Sequence, residues 1–98
     1  MNLSKNVNGA NAVISIEGRL DTVTAPELEK YIGEIIDGIS ELVLDFAKLE
    51  YISSAGLRVL LATEKTMAKQ GKMVIKNVND TINEIFEITG FSSVLTIE

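Results

Sequence analysis

The chain contains no cysteine and no histidine among its 98 residues. Without cysteine, a disulfide framework, a thiolate nucleophile and a zinc site built on sulfur are excluded. Without histidine, the chain lacks the side chain that most often acts as general base or metal ligand, and every serine–histidine triad is excluded. We therefore expect no site built on a thiolate or an imidazole. As separate expectations, we predict a protein that is not an enzyme and that carries no metal and no cofactor.

Long apolar runs are also absent. No stretch approaches the roughly 20 residues that a membrane-spanning helix needs, and the opening MNLSKNVNGANAV lacks the apolar core of a signal peptide. Acidic residues outnumber basic ones by 14 to 9, giving a net charge of −5. This balance argues against nucleic acid or an anionic membrane as the main partner. We expect a cytoplasmic protein that is not inserted in a membrane and that binds other proteins.

Hydrophobic residues make up 46% of the chain, which is enough for a compact core, and 98 residues leave room for one domain. The pattern within residues 2–6 and 11–16 predicts a hairpin around the Asn8-Gly9 turn. Short apolar runs at residues 41–46 and 72–76 predict two further strands, the first followed by the connector AKLEYI. The tail, residues 94–97, is expected to form a final strand or an extended segment.

Three helices are expected between and after these strands. In the first, Thr24 and Glu27 have the spacing of a capping box, Pro26 falls in the first turn and Gly38 marks the end. The second runs from SSAG to Gln70 and stops at Gly71. The third is capped by Asn79 and ends at Gly90. The expected buried faces are Leu28, Ile32, Ile35, Ile36 and Ile39; Leu57, Leu60, Leu61 and Ala68; and Ile82, Ile85 and Phe86.

This alternation of strands and helices predicts right-handed crossovers and a mostly parallel central sheet. We expect a single α/β domain over residues 1–98, with four or five strands, an N-terminal hairpin at one edge and three helices mainly on one face.

The stretch YISSAGLRVLL lies where a parallel strand leads into a helix, the edge at which α/β proteins usually carry their sites. Local pattern leaves three roles open for Ser53 and Ser54. Either hydroxyl could cap the helix. A nucleophile elbow has the form G-x-S-x-G, but its first glycine is missing here. A phosphorylated serine would carry about 1.5–2 negative charges, which a helix N-terminus tolerates.

Three segments together resemble the STAS domain family, and especially the single-domain anti-sigma factor antagonists of bacteria. The run DFAKLEYISSAGLRVLL is similar to the family's strand, D-S-x-G-L loop and leucine-rich helix. The run EGRLDTVTAPELEK resembles the block that enters the first helix, and GKMVIKNVNDTINEIFEITGF resembles the last strand and helix. The resemblance covers essentially the whole chain.

The resemblance implies a partner switch. In such proteins the unmodified antagonist binds an anti-sigma factor that is also a serine kinase, and a sigma factor is released. Phosphorylation in the D-S-x-G loop breaks the complex, and a serine phosphatase resets it. The alignment puts the phosphoacceptor on Ser54, with Ser53 as second choice. The partner surface it implies comprises Asp21, Ser53, Ala55, Gly56, Leu57 and Arg58.

The chain departs from the family pattern at Ser53, where aspartate is usual. This change could alter recognition by the kinase, or could move helix capping to Ser53 and leave the Ser54 hydroxyl free. Arg58 is either solvated or reaches a phosphate or a partner carboxylate. Asp21 stabilises a turn, hydrogen-bonds the serine hydroxyl or lines the partner surface, and Asp45 is expected to be structural.

Two other functions stay open. One is a STAS subunit of a lipid or anion transport assembly that docks on an ATPase. The other is a small nucleotide- or ligand-binding domain, although no Gly-rich phosphate loop is present. No dimer seam is evident, so we expect a monomer.

Overall fold

The structure is a computed structural model that describes the whole chain, residues 1–98. Strands and helices alternate after an initial pair of strands. The elements are β1 (Asn2–Asn8), β2 (Asn11–Leu20), α1 (Ala25–Ile35), β3 (Glu41–Ile52), α2 (Ser54–Ala68), β4 (Lys72–Lys76) and α3 (Asp80–Thr89), followed by a 3₁₀ turn at Phe91–Ser93. None of the helices is both long and apolar enough to cross a membrane.

The four strands form one mixed sheet in the order β1-β2-β3-β4. β1 and β2 are antiparallel and make the predicted edge hairpin, whereas β2–β3 and β3–β4 are parallel. In the tail, Ile97 makes a single parallel bridge to Ile75. The predicted single α/β domain is confirmed, with four strands.

The segment AKLEYI was expected to be a connector, and this prediction is wrong. It is the second half of β3, which runs for 12 residues. Ser15 pairs with Asp45 and Glu17 pairs with Lys48, so β3 advances one residue more than β2 at this point. This irregularity interrupts the alternation of apolar and polar residues on which the strand prediction depended.

All three helices lie on one face of the sheet, as predicted. A single cluster of 23 buried residues joins the sheet to the helices. In β2, Ile14 faces this cluster and is fully buried, whereas its neighbour Val13 is 38% exposed on the other face. The rings of Phe46 in β3 and Phe86 in α3 lie 6.5 Å apart, which places α3 on the covered face as well.

The predicted capping box of α1 does not form. The Thr24 hydroxyl makes no cap bond; it donates to the carbonyl of Arg19 and accepts from the amide of Asp21, each at 2.8 Å. Pro26 lies in the first turn as expected, but the helix ends at Ile35, before Gly38.

The predicted face of α2 is only partly right. Leu57 and Leu60 are buried, but Leu61 is half-buried and Ala68 is exposed. The remaining buried positions of this helix are Gly56, Val59, Thr63 and Met67. The face is therefore rotated towards Gly56, because that glycine allows the helix to approach the sheet closely.

The third helix begins and ends as predicted. The side chain of Asn79 accepts a hydrogen bond from the amide of Ile82 at 2.8 Å. Gly90 has φ +82°, the left-handed conformation that commonly ends a helix. Ile82 and Phe86 are buried, and Ile85 packs against the same core while partly exposed.

Candidate functional site

Two loops leave the carboxyl edge of the sheet side by side. Leu20 and Ile52 are the last paired residues of β2 and β3. One residue later, the amide of Ser53 donates to the carbonyl of Leu20 at 2.9 Å. This bond holds the loop that begins at Asp21 beside the start of α2. Two of the predicted site segments, distant in sequence, are thus brought together.

Ser53 is the N-cap of α2. Its backbone is extended, with φ −99° and ψ 175°, and its Oγ accepts a long hydrogen bond of 3.4 Å from the amide of Gly56. Its carbonyl accepts the first helical hydrogen bond, from Leu57 at 2.9 Å. Capping therefore falls to Ser53, and Ser54 has no capping role.

Ser54 is the first residue of α2, and its side chain is exposed. Its hydroxyl makes no hydrogen bond to the protein, and the amides of Ser54 and Ala55 donate to no protein acceptor. A helix N-terminus also carries a partial positive charge. The hydroxyl is thus open to a second protein and lies where added negative charge is favoured.

Gly56 and Leu57 lie beneath this surface, so their predicted place on the partner surface is corrected. A Cβ on Gly56 would come within 2.7 Å of Cγ of Leu20 and 2.9 Å of Cγ1 of Ile52. Leu57 is 6% exposed and belongs to the core. Both residues fix how α2 sits on the sheet. The predicted surface residues that are exposed or half-buried are Asp21, Ser53, Ala55 and Arg58.

Asp21 shapes the turn before α1. Its Oδ1 accepts hydrogen bonds from the amides of Val23 and Thr24 at 3.0 and 3.1 Å, and its Oδ2 lies 3.9 Å from Nε of Arg19. The hydrogen bond from the Thr24 amide lowers the pKa of Asp21, and desolvation partly opposes this effect. The Thr24 hydroxyl, the Val23 amide and the charge of Arg19 also lower this pKa. The turn-stabilising role is confirmed, and Asp21 makes no hydrogen bond to either serine.

Arg58 lies four residues after Ser54 in α2, on the rim of a groove between α1 and α2. The groove has a volume of about 350 Å³ and is lined by Thr22, Ala25, Pro26, Glu29, Ala55, Arg58 and Val59. The Arg58 side chain is exposed and forms no ion pair. It is therefore a free cation next to the predicted phosphoacceptor.

Val23 is a further exposed residue of this edge, which the motifs of the sequence do not include. Its side chain is 85% exposed in the turn that Asp21 holds, next in sequence to Thr22, which lines the groove. Its position gave a signal, since in TVTAPELEK this valine lies outside the apolar stripe of α1 and has no core partner. Nearby, the Arg19 guanidinium stacks 4.5 Å from the ring centre of Tyr51. The carboxyl edge of the sheet thus presents an exposed apolar side chain, Val23, beside the polar side chains of Asp21 and Arg19.

Comparison with known proteins gives consistent matches. The family model described as STAS domain matches residues 2–98. The putative anti-sigma factor antagonist BtrV of Bordetella bronchiseptica is 36% identical over 87 residues, which cover 87% of this chain and 75% of BtrV.

Solved structures agree with this match. An anti-sigma factor antagonist from Mycobacterium paratuberculosis is 27% identical with a TM-score of 0.88, over 98% of this chain and 83% of that one. The Bacillus protein SpoIIAA has been solved unphosphorylated and phosphorylated, with TM-scores of 0.77 and 0.75. The match covers 99% of this chain in both cases, and 87% and 91% of SpoIIAA; at 19% identity it concerns the fold alone.

Proposed function

Because the chain belongs to the STAS domain family, we propose that it is an anti-sigma factor antagonist controlled by phosphorylation of Ser54. In the unphosphorylated form it binds, in the cytoplasm, an anti-sigma factor that is also a serine kinase, and so releases a sigma factor. Phosphorylation ends this binding, and a serine phosphatase restores it. The protein acts as a monomeric binding module and catalyses no reaction itself.

The observation that carries this proposal is the exposed and unbonded hydroxyl of Ser54 at the tip of α2. Ser53 satisfies the cap, so modification of Ser54 breaks no hydrogen bond of the fold. The residues that anchor this helix, Gly56 and Leu57, lie beneath it in the core.

The modification itself requires the partner's catalytic groups. The Ser54 oxygen attacks the γ-phosphorus of ATP, and the bond from that phosphorus to the bridging oxygen breaks. ADP leaves with the bonding electron pair, and the hydroxyl proton passes to a base on the kinase. The reverse step is hydrolysis by the phosphatase, in which water attacks the phosphorus and the serine oxygen leaves. This chain supplies only the accepting hydroxyl, which agrees with its lack of histidine.

The added charge changes what can bind at this edge. A phosphate on Ser54 would share the edge with Asp21, whose loop is bonded to the start of α2, and with Glu29, which lines the same groove as Ala55 and Arg58. A partner whose surface complements the neutral hydroxyl then meets a dianion, and like-charge or desolvation costs across an interface reach several kcal/mol. The fold accepts such a group in SpoIIAA, which has been solved in both states.

Mass spectrometry tests the acceptor. After incubation of the purified protein with ATP, Mg²⁺ and extract of its own organism, we expect a gain of one phosphoryl group that maps to Ser54. Ser54→Ala should abolish the gain. Ser53→Ala is the matched control and should retain it, because Ser53 is half-buried and its Oγ accepts a hydrogen bond from the amide of Gly56. Modification that persists in Ser54→Ala and is lost in Ser53→Ala would move the acceptor to Ser53.

Binding to the kinase recovered from that extract tests the switch. Ser54→Asp should lower the affinity for the kinase by about 10-fold or more. The melting temperature of the free Ser54→Asp protein should stay close to that of the wild type. Ser54→Ala should bind as the wild type does. If Ser54→Asp binds with unchanged affinity, charge at this position does not control the complex.

A further inference from the structure

We propose that Arg58 pairs with the phosphate of phosphorylated Ser54 within the same helix, an inference that rests on the proposed modification of Ser54. Phosphorylation then does two things at the partner surface. It adds a dianion, and it withdraws the free guanidinium at the rim of the groove between α1 and α2.

The spacing of the two residues suits this pairing. Residues four apart lie on the same face of a helix, about 5–6 Å apart at Cβ. Side chains of a helix tilt towards its N-terminus, so Arg58 points back over the turn that begins at Ser54. Because Ser54 is the first residue of α2, no preceding turn of the helix covers the phosphate.

Arg58 is also available. The ion pairs of the molecule join Arg19 to Asp21, Lys48 to Glu17 and Lys72 to Glu41, and none includes Arg58.

The charged groups around the pair favour the phosphate. From α1, Glu29 lines the same groove as Arg58 but lies beyond ion-pair distance. From the loop after β2, Asp21 engages its own turn and Arg19. A phosphate presents three strong acceptor oxygens and about two charges, and the planar guanidinium can bind two of those oxygens at once. It therefore outcompetes the single exposed carboxylate of Glu29.

A kinase-free experiment tests the pairing. Phosphoserine is incorporated at position 54 by genetic encoding, and the second pKa of the phosphate is measured by ³¹P NMR titration. We expect this pKa to be higher by about 0.5 in Arg58→Gln than in the otherwise unchanged phosphoprotein, because an exposed pair is worth a fraction of a kcal/mol. Arg58→Lys should fall between the two.

The matched control is Lys65→Gln, which removes an exposed cation from the last turn of the same helix. Its phosphate should titrate as in the parent phosphoprotein. Equal pKa values with and without Arg58, or an equal rise in Lys65→Gln, would overturn the pairing. Since no kinase is used, that result would leave the role of Ser54 as acceptor to the mass measurement above.

Discussion

At the scale of single residues, three carboxyl groups respond to their surroundings in opposite ways. The side chain of Asn77 lowers the pKa of Asp45 by donating a 2.9 Å hydrogen bond, and the amide of Ala47 acts in the same direction. The hydrogen bond from the amide of Thr24 likewise lowers the pKa of Asp21. Burial raises the pKa of Glu64, whose Oε2 is enclosed without a hydrogen-bond partner.

The sign of each pKa change fixes how stability varies with pH. For the two aspartates the folded pKa lies below the usual 3.8, so their contribution is present above that value and is lost as pH falls. For Glu64 the folded pKa lies above the usual 4.5, so ionisation opposes folding and stability falls as pH rises through the folded value.

The first prediction concerns Glu64. Replacing it by glutamine removes the charge, so Glu64→Gln should melt at a higher temperature than the wild type at pH 7. The two proteins should converge below about pH 4, where the carboxyl is protonated in both folded and unfolded states. Thermal melts followed by circular dichroism across pH 3.5–7 measure this difference.

The control is Glu84→Gln, which removes an exposed carboxylate in the middle of α3. It should shift the melting temperature little at any pH in this range. A wild type that is more stable than Glu64→Gln at neutral pH would mean that the enclosed oxygen has a favourable partner in solution.

At the scale of the elements, close approach decides where glycine is required. Gly71 lies between α2 and β4, and a Cβ there would overlap the carbonyl oxygen of Ser40. That oxygen also accepts the amide of Lys72 at 2.9 Å, which joins the start of β4 to the segment before β3. Gly33 is exposed in α1, and a Cβ there would meet nothing within 4 Å.

The second prediction contrasts these two glycines. Gly71→Ala should destabilise the protein by about 1–3 kcal/mol or more, because the overlap involves rigid backbone rather than a flexible side chain. Gly33→Ala should stabilise it by about 0.5–1 kcal/mol, because alanine restricts the unfolded chain and fits the helix. Urea denaturation gives both free energies. If both changes destabilise the protein equally, the close approach of the Ser40 carbonyl is not the reason that position 71 requires glycine.

Some elements of the fold were predictable from the sequence because local signals define their ends, whereas others depend on tertiary contacts. β4 and α3 were predicted correctly because strong local signals mark their ends, such as the N-cap Asn79 and the C-cap Gly90 of α3. The second half of β3 was missed because its charged residues follow an irregular register that depends on β2. The cap of α1 was misassigned because Thr24 bonds to Arg19 and Asp21, a tertiary choice that spacing does not reveal.

The site was predicted unevenly for a similar reason. The motif placed Ser54 at the junction of strand and helix, where the structure has it, but burial separates the residues of SAGLR into two roles. Gly56 and Leu57 turn inward while Arg58 turns outward, because the helix must set one face on the sheet. The groove and the exposure of Val23 depend on how α1 and the turn before it pack against α2. Local sequence patterns do not predict this tertiary packing.

At the scale of the whole molecule, the helices cover one face of the sheet and leave the other face without a helical layer. On that second face, Val13, Val43 and Val74 lie in one row across three strands. The candidate site lies at the carboxyl edge, where the covered face meets solvent. A phosphate on Ser54 would therefore lie on the solvent side of the first turn of α2, whose inward-facing residues Gly56 and Leu57 are buried.

The last prediction tests this one-sided core with two neighbours in β2. Ile14→Val removes a methylene from the covered face, where Ile14 has no exposed surface, and should cost about 0.5–1.5 kcal/mol. Val13→Thr keeps the β-branched shape on the open face, where Val13 is 38% exposed, and should change stability by less than about 0.5 kcal/mol. Both variants should unfold in one transition with the wild-type dependence on urea, since one cluster of 23 residues joins all the elements. A larger loss at position 13 than at position 14 would mean that the open face is covered in solution, and that the sheet has a second packed side.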